Sequence, residues 1–60
     1  MIPQDPIILL SFINMKLRDN YSNLDTLAEG LDISSEELSA IVSKLKEIGY
    51  EYNAERNQFV

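Results

Sequence analysis

The acidic side chains are the first groups in this 60-residue sequence whose spacing invites a chemical reading. Glu36 sits beside Glu37, and Asp25 precedes Glu29 by about one helical turn, so each pair has the makings of an acid and a base. Acid–base work needs a cleft that shifts a pKa, and a chain of this length leaves little concave volume for one. Both pairs read better as complements to the dipole of a first helical turn and as solvated helix surface. Asp25, Glu29 and Asp32 raise a metal site in the same way, but their spacing matches neither a calcium loop nor a transition-metal set. Histidine and cysteine are absent, which removes the common zinc sites, disulfides and nucleophile–base pairs built on them. With two glycines in all, no glycine-rich phosphate loop can be assembled. The expectation is a protein that is not an enzyme, with no metal, no cofactor and no small-molecule substrate.

Nucleic acid is the next chemistry to weigh. The stretch "LDTLAEGLDISSEELSAIVSKL", residues 24–45, holds two amphipathic patterns separated by a few residues, the spacing of a helix-turn-helix. Its DNA-contact face would be Ser35, Glu36, Ser39, Ala40 and Ser43, with Lys44, Lys46 and Arg56 as a small basic patch towards the C-terminus. Serine can contact bases or phosphates, and glutamate can accept from cytosine N4. Affinity for DNA, however, comes mainly from neutralising phosphates. From Asp19 to Glu37 there are six acidic residues and no basic one, and the whole chain carries a net charge of −5. That field disfavours nucleic acid and anionic membrane surfaces as partners. A DNA-binding regulator of winged helix-turn-helix type is therefore the second reading, behind a protein-interaction module.

The elements that would carry these side chains follow from caps and periodicity. Asp5 before Pro6 is a helix-entry signal, and Leu9, Leu10, Ile13 and Leu17 then recur on one face, so a first helix is predicted from Pro6 to about Asp19. Ser22 with Asp25 reads as the capping pair of a short second helix, roughly Asn23 to Gly30, that turns Leu24, Leu27, Ala28 and Leu31 inward. Gly30 and Asp32 mark its end. Ser34 with Glu37 forms a second capping box, ahead of a third helix striped by Leu38, Ile41, Val42, Leu45 and Ile48. Gly49 stands where a left-handed C-terminal residue is expected. In the tail, Tyr50 and Tyr52 alternate with Glu51, and Gln58, Phe59 and Val60 follow a polar loop, the pattern of a hairpin whose aromatic face must pack on the helices. Tyr21 is placed to add a one- or two-residue third strand. The predicted fold is mainly α, a single domain over residues 1–60, with a three-helix helix-turn-helix core and a C-terminal β-hairpin, like a small winged helix.

Several of these pieces also resemble a known family. "DPIILLSFINMKLRDNYSNLDTLAEGLDI", "EEL" and "GYEYNAERNQF" together resemble a group of very short bacterial proteins classed as a domain of unknown function. The most specific fragments are Asp5–Pro6, "KLRD" at 16–19, Leu24–Asp25, "GYEY" at 49–52 and "NQF" at 57–59. The resemblance covers nearly the whole chain and implies a small, self-contained bacterial protein. It implies no activity and no site residues.

The first helix carries more apolar surface than its own domain needs. Ile8, Phe12 and Met15 occupy a second arc, about 100–180° from the centre of the first at ~100° per residue. Either the hairpin covers this arc through Tyr50, Tyr52 and Phe59, or it forms an exposed patch that pairs with itself or with a protein partner. Between the arcs lies a strip of Ser11, Asn14 and Arg18, expected to be solvated, with Arg18 placed to pair with Asp19 or Asp25. The longest apolar run is Ile7–Leu10, far short of the ~18 residues of a spanning helix, and the N-terminal "MIPQDP" lacks the positive charge of a secretory signal. A soluble, cytoplasmic protein is expected.

Overall fold

The computed structural model describes residues 3–60, so the part of the single-domain expectation that concerns Met1 and Ile2 lies outside the described residues. Three helices, α1 (Pro6–Asp19), α2 (Leu24–Leu31) and α3 (Ser35–Glu47), precede two short strands, β1 (Tyr52–Asn53) and β2 (Gln58–Phe59). The mainly helical class and the C-terminal antiparallel hairpin agree with the sequence reading. Among the described residues, no helix is long and apolar enough to cross a membrane.

Each helix is bounded by the chemistry of its caps. Asp5 accepts from the N–H groups of Ile7 and Ile8, and Pro6 takes the first helical position, where no N–H is required. The cap of α2 falls one residue later than the spacing of Ser22 and Asp25 suggests. Asn23 accepts from the Thr26 N–H at 2.8 Å, while the Thr26 hydroxyl accepts from the Asn23 N–H at 3.2 Å. Thr26 is the reciprocal partner because it stands at the third helical position counted from Asn23. Ser34 and Glu37 close the expected box on α3.

The helix ends show why a glycine is needed at one turn and not at the other. After α3, the Gly49 and Tyr50 N–H groups bond the Lys46 and Leu45 carbonyls, with Gly49 at φ 93°. After α2, the Asp32 and Ile33 N–H groups bond the Glu29 and Ala28 carbonyls in the same arrangement, with Asp32 at φ 56°. Both are Schellman closures, and aspartate visits the left-handed region more readily than most residues. Gly30 therefore does not make the turn. It lies within α2 with the Tyr21 ring pressed against it, so that a Cβ there would collide with the ring. Tyr21 is not a strand residue, since the sheet has two strands, β1 and β2. Its ring and its carbonyl are committed elsewhere.

The core is one cluster of Leu9, Ile13, Leu17, Leu27, Leu45 and Phe59. The hydrophobic stripes of α1 and α2 are placed as expected, with Leu10, Leu24 and Leu31 partly buried around it. On α3 the deepest residue is Leu45, fully buried, whereas Leu38 is half-buried. Tyr50 is exposed and does not share the packing role expected for it.

Candidate functional site

α1 is the element on which the rest of the molecule is assembled, and its two sides differ. The hairpin docks on one of them through paired amides. Tyr52 faces Phe59 across the ladder, and the backbones of Glu51 and Val60 exchange hydrogen bonds on one side of that pair. Phe59 is thus a non-hydrogen-bonded residue of the ladder, and its N–H and C=O point outward from β1. Asn14 satisfies both, accepting from the Phe59 N–H at 2.8 Å and donating Nδ2 to the Phe59 carbonyl at 3.1 Å. The side-chain amide acts as a surrogate neighbouring strand and closes the edge that β2 would otherwise expose.

Asn57 completes the attachment. It sits at φ 52° in the hairpin turn and donates Nδ2 to the Leu17 and Tyr21 carbonyls at 3.0 and 2.9 Å. Its Oδ1 accepts from the Tyr52 hydroxyl at 2.7 Å. One amide thereby caps the C-terminal end of α1, holds the α1–α2 corner and orients the hairpin tyrosine. The Tyr52 and Phe59 rings meet at 5.6 Å and 57°, filling the space beneath.

The opposite side of α1 is uncovered. Ile8 is 58% exposed and Met15 40%, with exposed Ser11 between them. Ile7, at 60%, stands at the edge of this surface. Phe12 differs from its two companions, being half-buried against the core cluster with the Lys16 ammonium 5.7 Å from its ring centre. The expected patch of Ile8, Phe12 and Met15 therefore resolves into two exposed residues and one that joins surface to core. The hairpin does not bury them, because it is anchored on Asn14 and on the Leu17 carbonyl, around the helix from Ile8. Asn14 is accordingly part-buried and bonded, not the solvated residue its position in a polar strip suggested. Arg18 does pair with Asp19, Nε to Oδ1 at 2.8 Å, raising the guanidinium pKa and lowering that of the carboxyl through the hydrogen bond between them.

The residues proposed to face DNA are dispersed. Ser35, Glu36, Ser39, Ala40 and Ser43 are exposed along α3. Lys44 and Lys46 leave the helix about 160° apart, as residues two positions apart must. Lys44 turns to the N-terminal segment, donating Nζ to the Gln4 carbonyl at 3.2 Å, while Lys46 lies 3.8 Å from Glu51. Arg56 belongs to the hairpin turn, its backbone N–H donating to Asn53 Oδ1. Each of the three thus has a different neighbour, the N-terminal segment for Lys44, Glu51 for Lys46 and the hairpin turn for Arg56. The groove beside Lys44, floored by Leu9 and Ile41 and bounded by Glu37, holds about 190 Å³. A second, shallower depression of about 480 Å³ lies against the hairpin, along Glu51, Tyr52, Asn53 and Glu55. Among the described residues, no three acidic side chains converge as a metal cluster would require.

Asn14 and Asn57 were missed as structural contacts by reading the sequence, because an asparagine in a polar strip or loop looks the same whether it is solvated or bonded. The signal that was available is the asparagine at both positions where backbone polar groups of the hairpin and of the α1 end need partners.

A family model described as a domain of unknown function, DUF4250, matches residues 3–59, and the chain belongs to that family. Neither the curated proteins nor the solved structures contain a match to it.

Proposed function

We propose that this member of the family is a non-enzymatic protein-interaction module whose contact surface is the outer face of α1. The observation that supports it is the exposure of Ile8 and Met15, one helical face apart from a core that is already closed. Apolar side chains grouped on one helix face, on a helix whose other side is fully engaged, are the surface a protein partner covers. The acidic surface of α2 and the start of α3 favours a protein over a nucleic acid as that partner, since phosphate contacts need clustered cations.

Site-specific photo-crosslinking in cells tests this. A benzophenone side chain at Ser11 is expected to give a discrete adduct that is lost when Ile8→Glu and Met15→Glu are added to the same chain. The same group at Glu29, on α2, is expected to give none. Equal labelling from both positions, or none from Ser11, would overturn the proposal.

A further inference from the structure

The chain's charge is divided in a way that bears on what can approach α1. Asp5, Lys16, Arg18 and Asp19, the only ionised side chains from residue 5 to residue 19, cancel. The net charge of −5 therefore falls wholly on the remainder, where eight acidic residues stand against Lys44, Lys46 and Arg56. For two copies of an acidic chain, like-charge repulsion is least where the outer faces of α1 meet.

The distribution within α1 also selects an orientation. Asp5 lies at the N-terminal end of the helix, and Lys16, Arg18 and the Asp19 that pairs with Arg18 lie in its last turn, which is left with one net positive charge. A parallel pairing would bring like charges and like dipole ends together. An antiparallel one sets Asp5 of one copy towards the basic last turn of the other. With a two-fold axis passing between Ser11 and Phe12, the same register sets Ile8 opposite Met15 twice, and the small Ser11 side chains flank the axis, where the backbones come closest.

We propose that the outer face of α1 pairs with the same face of a second copy of this chain, antiparallel about Ser11 and Phe12. The proposal rests on the reading of α1 as the contact surface and names its occupant. The interface is small. A standard interface takes about 800 Å² from each partner. That is about a fifth of this chain's 4135 Å² of accessible surface, more than one face of a 14-residue helix provides. The dimer is accordingly weak, with dissociation in the micromolar range or above, as expected for interfaces below the standard size.

The absence of native cysteine makes disulfide trapping of the purified full chain a clean test. Ser11→Cys is expected to oxidise to a covalent dimer at least about tenfold faster than Glu29→Cys, because pairing raises the effective thiol concentration. Ile8→Cys alone should remain near the Glu29→Cys rate. The antiparallel register puts its two copies about 10 Å apart along the helix axis, beyond the ~7 Å limit for bridging Cα atoms. Mixed with Met15→Cys, it should form the heterodimer readily. A Ser11→Cys rate equal to the control, or an Ile8→Cys homodimer as fast as Ser11→Cys, would overturn the pairing. Failure here, with a Ser11 photo-adduct to a different protein in cells, would remove the second copy as occupant and leave the contact surface standing. Failure of both would remove the surface as well.

Discussion

The two sides of α1 carry the same kinds of apolar residue and meet different fates. Leu9, Ile13 and Leu17 are closed over by α2, α3 and Phe59, while Ile8 and Met15 stand in solvent one helical step away. Hydrophobicity does not separate them. What separates them is their position around the helix, since the first set faces α2, α3 and Phe59 and the second faces away from them. Asn14 offers a donor and an acceptor in the geometry that the free edge of β2 requires, and the hairpin goes there. Ser11 carries a single short hydroxyl rather than an amide and is exposed, and the surface next to it stays open. The hairpin lands where two needs are met together, the burial of Phe59 and partners for its backbone N–H and C=O.

The largest effect should come from the closed side. Leu45→Ala, at the fully buried centre of the α3 contact, is expected to cost ~2–5 kcal/mol, enough to unfold most of a domain of marginal stability. Leu38→Ala, half-buried on the same stripe, should cost less than half as much, and urea melts of the two variants would measure the difference. Equal losses would mean that the depth of the core along α3 is wrongly placed. Next in size is Asn57→Ala, which removes the donor to the Leu17 and Tyr21 carbonyls and the acceptor of the Tyr52 hydroxyl. A loss of ~1–3 kcal/mol is expected, with hydrogen exchange speeding first in the hairpin and at the α1–α2 corner. Uniform acceleration throughout would deny that this amide holds one junction in particular.

How much of this was legible in the sequence depends on the range of the interaction. The helices and the hairpin follow from local signals: Asp5–Pro6, Ser34 with Glu37, Gly49, and stripes at three- and four-residue spacing. The α2 cap slipped by one because Ser22 and Asn23 are both good capping residues, and only the chain direction at the corner chooses between them. Gly30 looked like a turn residue because glycine usually is one. Its actual use, making room for the Tyr21 ring, involves a partner nine positions away and no local signature. The roles of Asn14 and Asn57 span 45 and 40 residues, and periodicity carries no information at that distance. For the outer face, the second apolar arc was readable, but the burial of Phe12 within it depends on where the other elements pack.

The open side should be nearly silent in stability. Ile8→Gln and Met15→Gln, measured at low micromolar concentration, are each expected to change unfolding free energy by no more than about 0.5 kcal/mol, as is usual for exposed positions. A loss near that of Leu45→Ala would erase the contrast between the two faces, since it would mean that Ile8 or Met15 supports the fold itself.

The smallest expected effect lies at the end of the same helix. Arg18 and Asp19 are hydrogen-bonded but solvated, with 74% and 50% of their side chains exposed, so Asp19→Asn should not measurably shift the melting temperature at neutral pH. The sign of any pH dependence is nonetheless fixed. The Asp19 carboxyl is held below its ordinary pKa, so its contribution is present above the unfolded-state value and disappears as pH falls through the lowered folded-state value. Wild type and Asp19→Asn should therefore stay indistinguishable as the pH falls, and a melting difference that appeared in acid would show that Asp19 acts through something other than its ionised pairing with Arg18.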